Sequence, residues 1–215
     1  MPAPPDALLL LTPQCPHCPA VLQALGELVK QGRIGSMRVV NLGAHPEVGA
    51  ELGARAVPWI RIGRFELEGA HTQAELALWT ERAGTREGAA AYLAEQLKGG
   101  KLDRVTQFAR RDREFMEGLL SLMGAADTEL TVRLGVSAAM EGMEGDPALG
   151  QAIPGLEHLA RHADAHIRGD AAHCLGLTHA PAAAMVLQEL AGDREAMVRD
   201  IAQEALDRLA GKEPR

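Results

Sequence analysis

Cys15-Pro16-His17-Cys18 is the one place in the chain where two thiols stand within a single helical turn of each other. Thiol–disulfide exchange needs a thiolate that attacks and a second thiol that resolves the mixed disulfide. A Cys-x-x-Cys pair at the start of a helix supplies both. The first sulfur lies near unpaired backbone N–H groups and the positive end of the macrodipole, which lower a cysteine pKa from about 8.5 toward roughly 3.5–7.5. Cys15 is the expected nucleophile and Cys18 the resolving thiol. Pro16 suits a first helical position, and His17 can act as a nearby cation or donor to the thiolate. The competing chemistry is half of a zinc site. Structural zinc takes four ligands, and the chain has three cysteines and no second Cys-x-x-Cys. Cys174, among Ala171, Ala172 and Leu175, reads as a small core residue. His158, His162 and His166 recur every four residues, but Asp164 starts a new helix between them, so they read as solvated polar residues rather than metal ligands.

The elements around the dithiol alternate. Ala7–Leu11 is a short apolar run ended by Pro13, as expected of a buried central strand. A helix is expected from Pro16 to Gln31, with Val21, Leu22, Leu25, Leu28 and Val29 on one face. Met37–Leu42 reads as a second strand, Pro46–Gly53 as a short helix and Trp59–Ile62 as a third strand. Gly63-Arg64 forms a tight turn into a fourth strand, Phe65–Glu68. Thr72 caps a last helix through Leu76, Leu78 and Trp79. The order is βαβαββα.

A strand, then Cys-x-x-Cys, then a helix resembles the thioredoxin superfamily, and Val57-Pro58 directly before strand three strengthens the likeness. The resemblance implies that Pro58 is cis and lies against the dithiol. Val57 would then offer its backbone to an extended substrate, and Trp59 would pack beside or under the site, so that Val57, Pro58 and Trp59 form the substrate-binding set. With so little chain before residue 7, it implies the minimal, glutaredoxin-sized version. That version has a four-stranded mixed sheet with strands one and two parallel and three and four antiparallel. The stretch Cys-Pro-His-Cys-Pro with Val21–Leu25 looks like the glutaredoxin-like protein disulfide oxidoreductases. It is also similar to the N-terminal domain of the alkyl hydroperoxide reductase flavoprotein. The tetrapeptide is shared with periplasmic disulfide oxidases, whose large helical insert this chain lacks. Two departures stand out. Gln14 occupies the place of a tryptophan, and strand one carries no acid to relay a proton to Cys18. Glu66 and Glu68 are the candidate substitutes.

From about residue 86 the chain reads as successive helices: 86–98, 103–123, 128–143, 148–162, 164–177, 180–191 and 195–210. Trp79 and Phe108 are expected to anchor cores or interfaces. Val132-Arg133, Ile167-Arg168 and Val198-Arg199 are each followed by small residues, with Asp127, Asp164 and Asp193 shortly upstream. The arginines lie 35 and 31 positions apart, the period of stacked helix pairs. Each Asp is expected to cap the second helix of its pair, and each Arg to bridge to an acid of a neighbouring repeat. The pattern resembles HEAT-type repeats over roughly 105–210.

Composition sets outer bounds. The 215 residues are 47% apolar and carry a net charge of -7, globular but repelled by phosphate. The basic stretch Arg104–Arg113 holds Asp112, is flanked by Asp103 and Glu114, and reads as a solvated helix face rather than a nucleic-acid patch. The apolar run at residues 7–11 is far short of the ~18–20 residues of a membrane span and lacks the positive flank of a signal peptide. A cytoplasmic location follows, where disulfides are transient and catalytic. The expected fold is thus α/β plus all-α. A thioredoxin-like domain (1–84) leads through a helical linker (85–104) to a HEAT-like α-solenoid (105–215). The expected function is thiol–disulfide exchange with no cofactor beyond the Cys15–Cys18 disulfide. A protein substrate or redox partner would dock on residues 105–210, with no nucleic-acid, membrane or metal partner. The alternative is an interaction scaffold whose redox domain senses or merely folds.

Overall fold

The computed structural model describes residues 3–211. The chain divides into two compact units, Met1–Gly88 and Ala89–Arg215.

The first unit contains β1 (Ala7–Leu11), α1 (Cys18–Lys30), β2 (Met37–Asn41), α2 (Pro46–Glu51), β3 (Trp59–Ile62), β4 (Phe65–Glu68) and α3 (Gln73–Arg82). The strands form one sheet in the order β2-β1-β3-β4, with β1 parallel to β2 and antiparallel to β3, and β3 antiparallel to β4. This is the expected mixed sheet. β1 is central, so both its faces must be apolar, and Leu8, Leu9 and Leu10 are all buried. Alternation sends Leu8 and Leu10 to one face, where they join Val40 and Trp59 beneath Leu42, Val48, Leu52 and Ala54 around α2. On the sheet's helical side, α1 packs against β1, β2 and α3. Its Val21, Leu25 and Leu28 are fully buried, each contributing roughly 1.5–3 kcal/mol of transfer free energy. Gly63 supplies the positive φ of 56° that the two-residue turn between β3 and β4 requires. Thr72 caps α3 as expected. Its hydroxyl accepts the Glu75 N–H, and the Glu75 carboxylate accepts the Thr72 N–H in return.

The second unit is helical. α4 (Arg86–Lys98) crosses the division between the units. It is followed by α5 (Leu102–Arg111), α6 (Arg113–Gly124), α7 (Leu130–Glu141), α8 (Pro147–Gly150), α9 (Ile153–Leu159), α10 (Ala165–Leu177), α11 (Ala184–Leu190) and α12 (Ala196–Leu209). The stretch expected to be a linker is part of this packing: Tyr92 of α4 meets Phe108 and Phe115 in an aromatic cluster. The single helix expected over 103–123 is two. Asp112 adopts an extended conformation (φ -141°, ψ 117°), and its carboxylate caps α6 through the Glu114 N–H. The apolar periodicity continues across this break, which is why spacing alone does not reveal it. Likewise 148–162 divides into α8 and α9, and 180–191 opens with a 3-10 turn at Pro181–Ala183. The basic face of α5 is not simply solvated. Arg104 and Arg111 both lie over the Phe108 ring.

α7, α10 and α12 carry the repeated arginines. Arg168 is buried and makes a two-pronged bond to Asp193, both contacts 2.8 Å, while also donating to the carbonyls of His162 and Ala163. Arg199 donates to the carbonyls of Asp193 and Arg194. Arg133 donates to the Met123 and Ala125 carbonyls and pairs with Asp170 of the following repeat at 3.5 Å. Each arginine thus satisfies carbonyls of the segment that leads into its own helix. Of the upstream aspartates, Asp164 caps α10 through the His166 N–H, and Asp193 holds the Glu195 N–H beside α12. Asp127 does not cap α7, which starts after Glu129 with no side-chain cap bond.

Candidate active site

β1 ends at Leu11, and the loop after it carries Cys15 to the start of α1. The Cys15 N–H donates to the Thr12 carbonyl, closing the loop into a turn. α1 begins at Cys18, with His17 as its N-cap. The His17 side chain makes no cap bond. Instead the Cys18 N–H donates to Cys15 Sγ at 3.2 Å. The sulfur therefore occupies the place of a capping oxygen, where partial positive charge gathers. Pro19 lies in the first turn and removes one orphan donor. Pro16, expected at that position, lies outside the helix, before the cap. Pro19 was legible as the proline just after Cys18, but the register of the helix start decides which proline serves.

The two sulfurs are 2.08 Å apart, at disulfide-bonding distance. Cys15 is 8% and Cys18 3% exposed, while Pro16 and His17 are exposed beside them. The sheet topology brings a second segment to the same end. β3 runs antiparallel to β1 with Trp59 opposite Leu10, so the residues before β3 emerge next to the loop after β1. Those residues are Val57 and Pro58, joined by a cis peptide bond. Pro58 is buried and Val57 half-buried. The Pro58 carbonyl accepts the Gly69 N–H at 2.9 Å, which ties the start of β3 to the end of β4. Trp59 presents no surface for a substrate. It is fully buried in the cluster under α2, with its indole N–H unpartnered.

β1 carries no carboxylate, and Glu66 and Glu68 lie on the edge strand β4, with β3 between them and β1. Cys174 lies in the other unit, 2% exposed on α10, and burial together with Asp170 and Glu141 pushes its thiol well above the ordinary range. It is a packing residue with no useful thiolate. His162 accepts the Asp164 N–H in the turn between α9 and α10, so the three spaced histidines do not share one helix face. Among the described residues no group of three or more His, Cys, Asp or Glu is placed to hold a metal ion.

A family model described as a thioredoxin domain matches residues 7–81, and one described as HEAT repeats matches 116–207. No curated protein matches the chain. Together the two models span the dithiol, the Val57-Pro58 segment and the three arginine-bearing helices, and the chain is a thioredoxin-like domain fused to HEAT-type helical repeats.

Proposed function

We propose that the protein is a thiol–disulfide oxidoreductase working through Cys15 and Cys18. The observation that carries this reading is the Cys18 N–H donating to Cys15 Sγ at the N-terminus of α1. The same donor that caps the helix stabilises a Cys15 thiolate once the disulfide opens. In the reducing direction, the Cys15 thiolate attacks a substrate disulfide and forms a mixed disulfide, and one substrate sulfur leaves as a thiolate. Cys18, losing its proton, then attacks Cys15 Sγ and releases the second substrate thiolate. The substrate gains two electrons, its two thiolates take up protons from solvent, and the protein is left with the Cys15–Cys18 disulfide. An external dithiol then restores the reduced protein. The dithiol carries the electrons itself, so no bound cofactor enters.

Pro16 and His17 flank the nucleophile on the exposed side and tune it, and Val57 and Pro58 hold substrate backbone alongside. Solvent accepts the Cys18 proton, because no carboxylate of β1 stands ready to do so. The helical repeats dock the protein that exchanges its disulfide. No helix among the described residues is long and apolar enough to cross a membrane, and we place the protein in the cytoplasm. The test is exchange with a small model disulfide under a dithiol reductant. Wild type turns over, and Cys15→Ser abolishes turnover. Equal rates for the two proteins refute the reading.

A further inference from the structure

Three segments come together around the dithiol, and none of them carries an acid. Residues 12–20 hold the two cysteines, and 54–58 end at the cis-proline. Residues 69–72 are tied to that proline by the Gly69 N–H on the Pro58 carbonyl. Residues 42–46 lie against the first segment, where a β-carbon on Gly43 would sit 3.5 Å from the Pro13 ring, and they carry no acid either. In a chain of net charge -7 such a rim is the exception. The bordering acids are mostly engaged. Glu47 pairs with His45 at 3.2 Å, Glu75 caps α3, and Glu68, half-buried at the end of β4, has a partner of its own. Exposed Glu51 stands at the opposite end of α2 from His45. The cations on the rim are not engaged in this way. His17 and Arg55 are exposed, and among the described residues neither has an ion-pair partner.

Arg55 also opens a strip of free backbone. The Ala54 N–H bonds the Gly49 carbonyl and the Pro58 carbonyl takes the Gly69 N–H. Between them, Arg55, Ala56 and Val57 make no backbone hydrogen bond among the described residues. Val57 is half-buried, so its N–H and carbonyl gain from a partner that brings backbone groups of its own. Arg55 is two residues upstream, within about 7 Å of Val57 along the chain. We infer that the exchange reaction selects disulfides carried in acidic, extended segments. The substrate backbone pairs along Arg55, Ala56 and Val57, and a carboxylate about two residues from the substrate cysteine meets the Arg55 guanidinium. Exposed His17, between the cysteines, offers that carboxylate no repulsion. Opposite charge on the rim speeds encounter and sets the orientation of the segment. The inference rests on the oxidoreductase reading of Cys15 and Cys18 and adds its substrate class.

The test is the rate at which two peptide disulfides oxidise the pre-reduced full chain. Each peptide is a homodimer through one central cysteine, with either glutamate or lysine two residues to each side of it. Oxidation turns the protein dithiol into its disulfide and the dimer into two peptide thiols, and loss of protein thiol is followed by quenched alkylation and mass spectrometry. The ratio of the glutamate rate to the lysine rate is compared between proteins, which cancels the intrinsic reactivity of the peptides. Wild type is expected to give a ratio about two- to fivefold above that of Arg55→Gln, the size of one exposed ion pair. Arg55→Glu should lower the ratio further and Arg55→Lys should keep it, and added salt should erase the difference. All three variants alter an exposed side chain without a partner and should keep the wild-type unfolding midpoint. A ratio unchanged in Arg55→Glu, or a wild-type ratio indifferent to salt, overturns the inference while leaving the dithiol its chemistry. Oxidation by neither peptide sinks the oxidoreductase reading itself, and the inference with it.

Discussion

Replacing Arg168 by methionine removes the most completely buried charge pair among the described residues of the helical unit. The side chains of Arg168 and Asp193 are 7% and 10% exposed. The two hydrogen bonds from Arg168, chiefly, hold the Asp193 carboxyl at about 2 against an ordinary 3.8, with the Glu195 N–H helping and burial opposing. A depression of this size corresponds to about 2 kcal/mol favouring the ionised, folded form, at 1.36 kcal/mol per pKa unit. The sign is that of a depressed carboxylate. The contribution is fully present above about pH 4 and is lost as pH falls toward 2. Methionine fills much of the volume but strands Asp193 and frees the His162 and Ala163 carbonyls. Breaking one side of a buried pair costs about 3–5 kcal/mol. Chemical denaturation followed by circular dichroism at pH 7 should show the helical transition destabilised by that amount. At pH 2.5, where Asp193 is partly protonated in both proteins, the gap should narrow. A change below about 1 kcal/mol at pH 7, or a gap independent of pH, refutes this account of how the repeats are held.

Two further perturbations test the packing in the same way. Thr72→Ala removes the capping box of α3 and should destabilise the first unit by about 1 kcal/mol without moving the second transition, read by two-transition denaturant unfolding. Gly176→Val places side-chain atoms where a β-carbon would already lie 2.8 Å from Ala205 Cβ. Prying α10 from α12 should cost at least about 1–3 kcal/mol and lower the helical midpoint in a thermal melt.

What the sequence discloses and what it hides divide along physical lines. The sheet was readable because β1 is an unbroken apolar run and Gly63-Arg64 sits where only a tight turn fits. Cys15 and Cys18 were readable because their spacing matches one helical turn. The break at Asp112 was not, because an aspartate between two amphipathic stretches keeps the apolar phase and still caps a new helix. The first-turn proline is Pro19 rather than Pro16, because the helix starts at Cys18 and either proline near it satisfies the preference of a first turn. Trp59 illustrates a different limit. Strand alternation identifies a face, but only the packing of α2 over Leu10 and Val40 shows that this face is sealed. Arg133 and Arg168 bridge to acids of the following repeat, as the pattern implies, whereas Arg199 bonds the Asp193 and Arg194 carbonyls before its own helix. That each also donates to carbonyls of the turn before its helix depends on turn geometry, which no side-chain pattern encodes.

The central claim is that Cys15 attacks and Cys18 resolves. Its most direct measurement is the trapping of mixed disulfides by Cys18→Ser in cells, read by non-reducing electrophoresis and mass spectrometry. The account predicts covalent adducts with Cys18→Ser that vanish on reduction and are absent from the double variant Cys15→Ser, Cys18→Ser. Adducts that persist without Cys15, or none at all with Cys18→Ser, would contradict it.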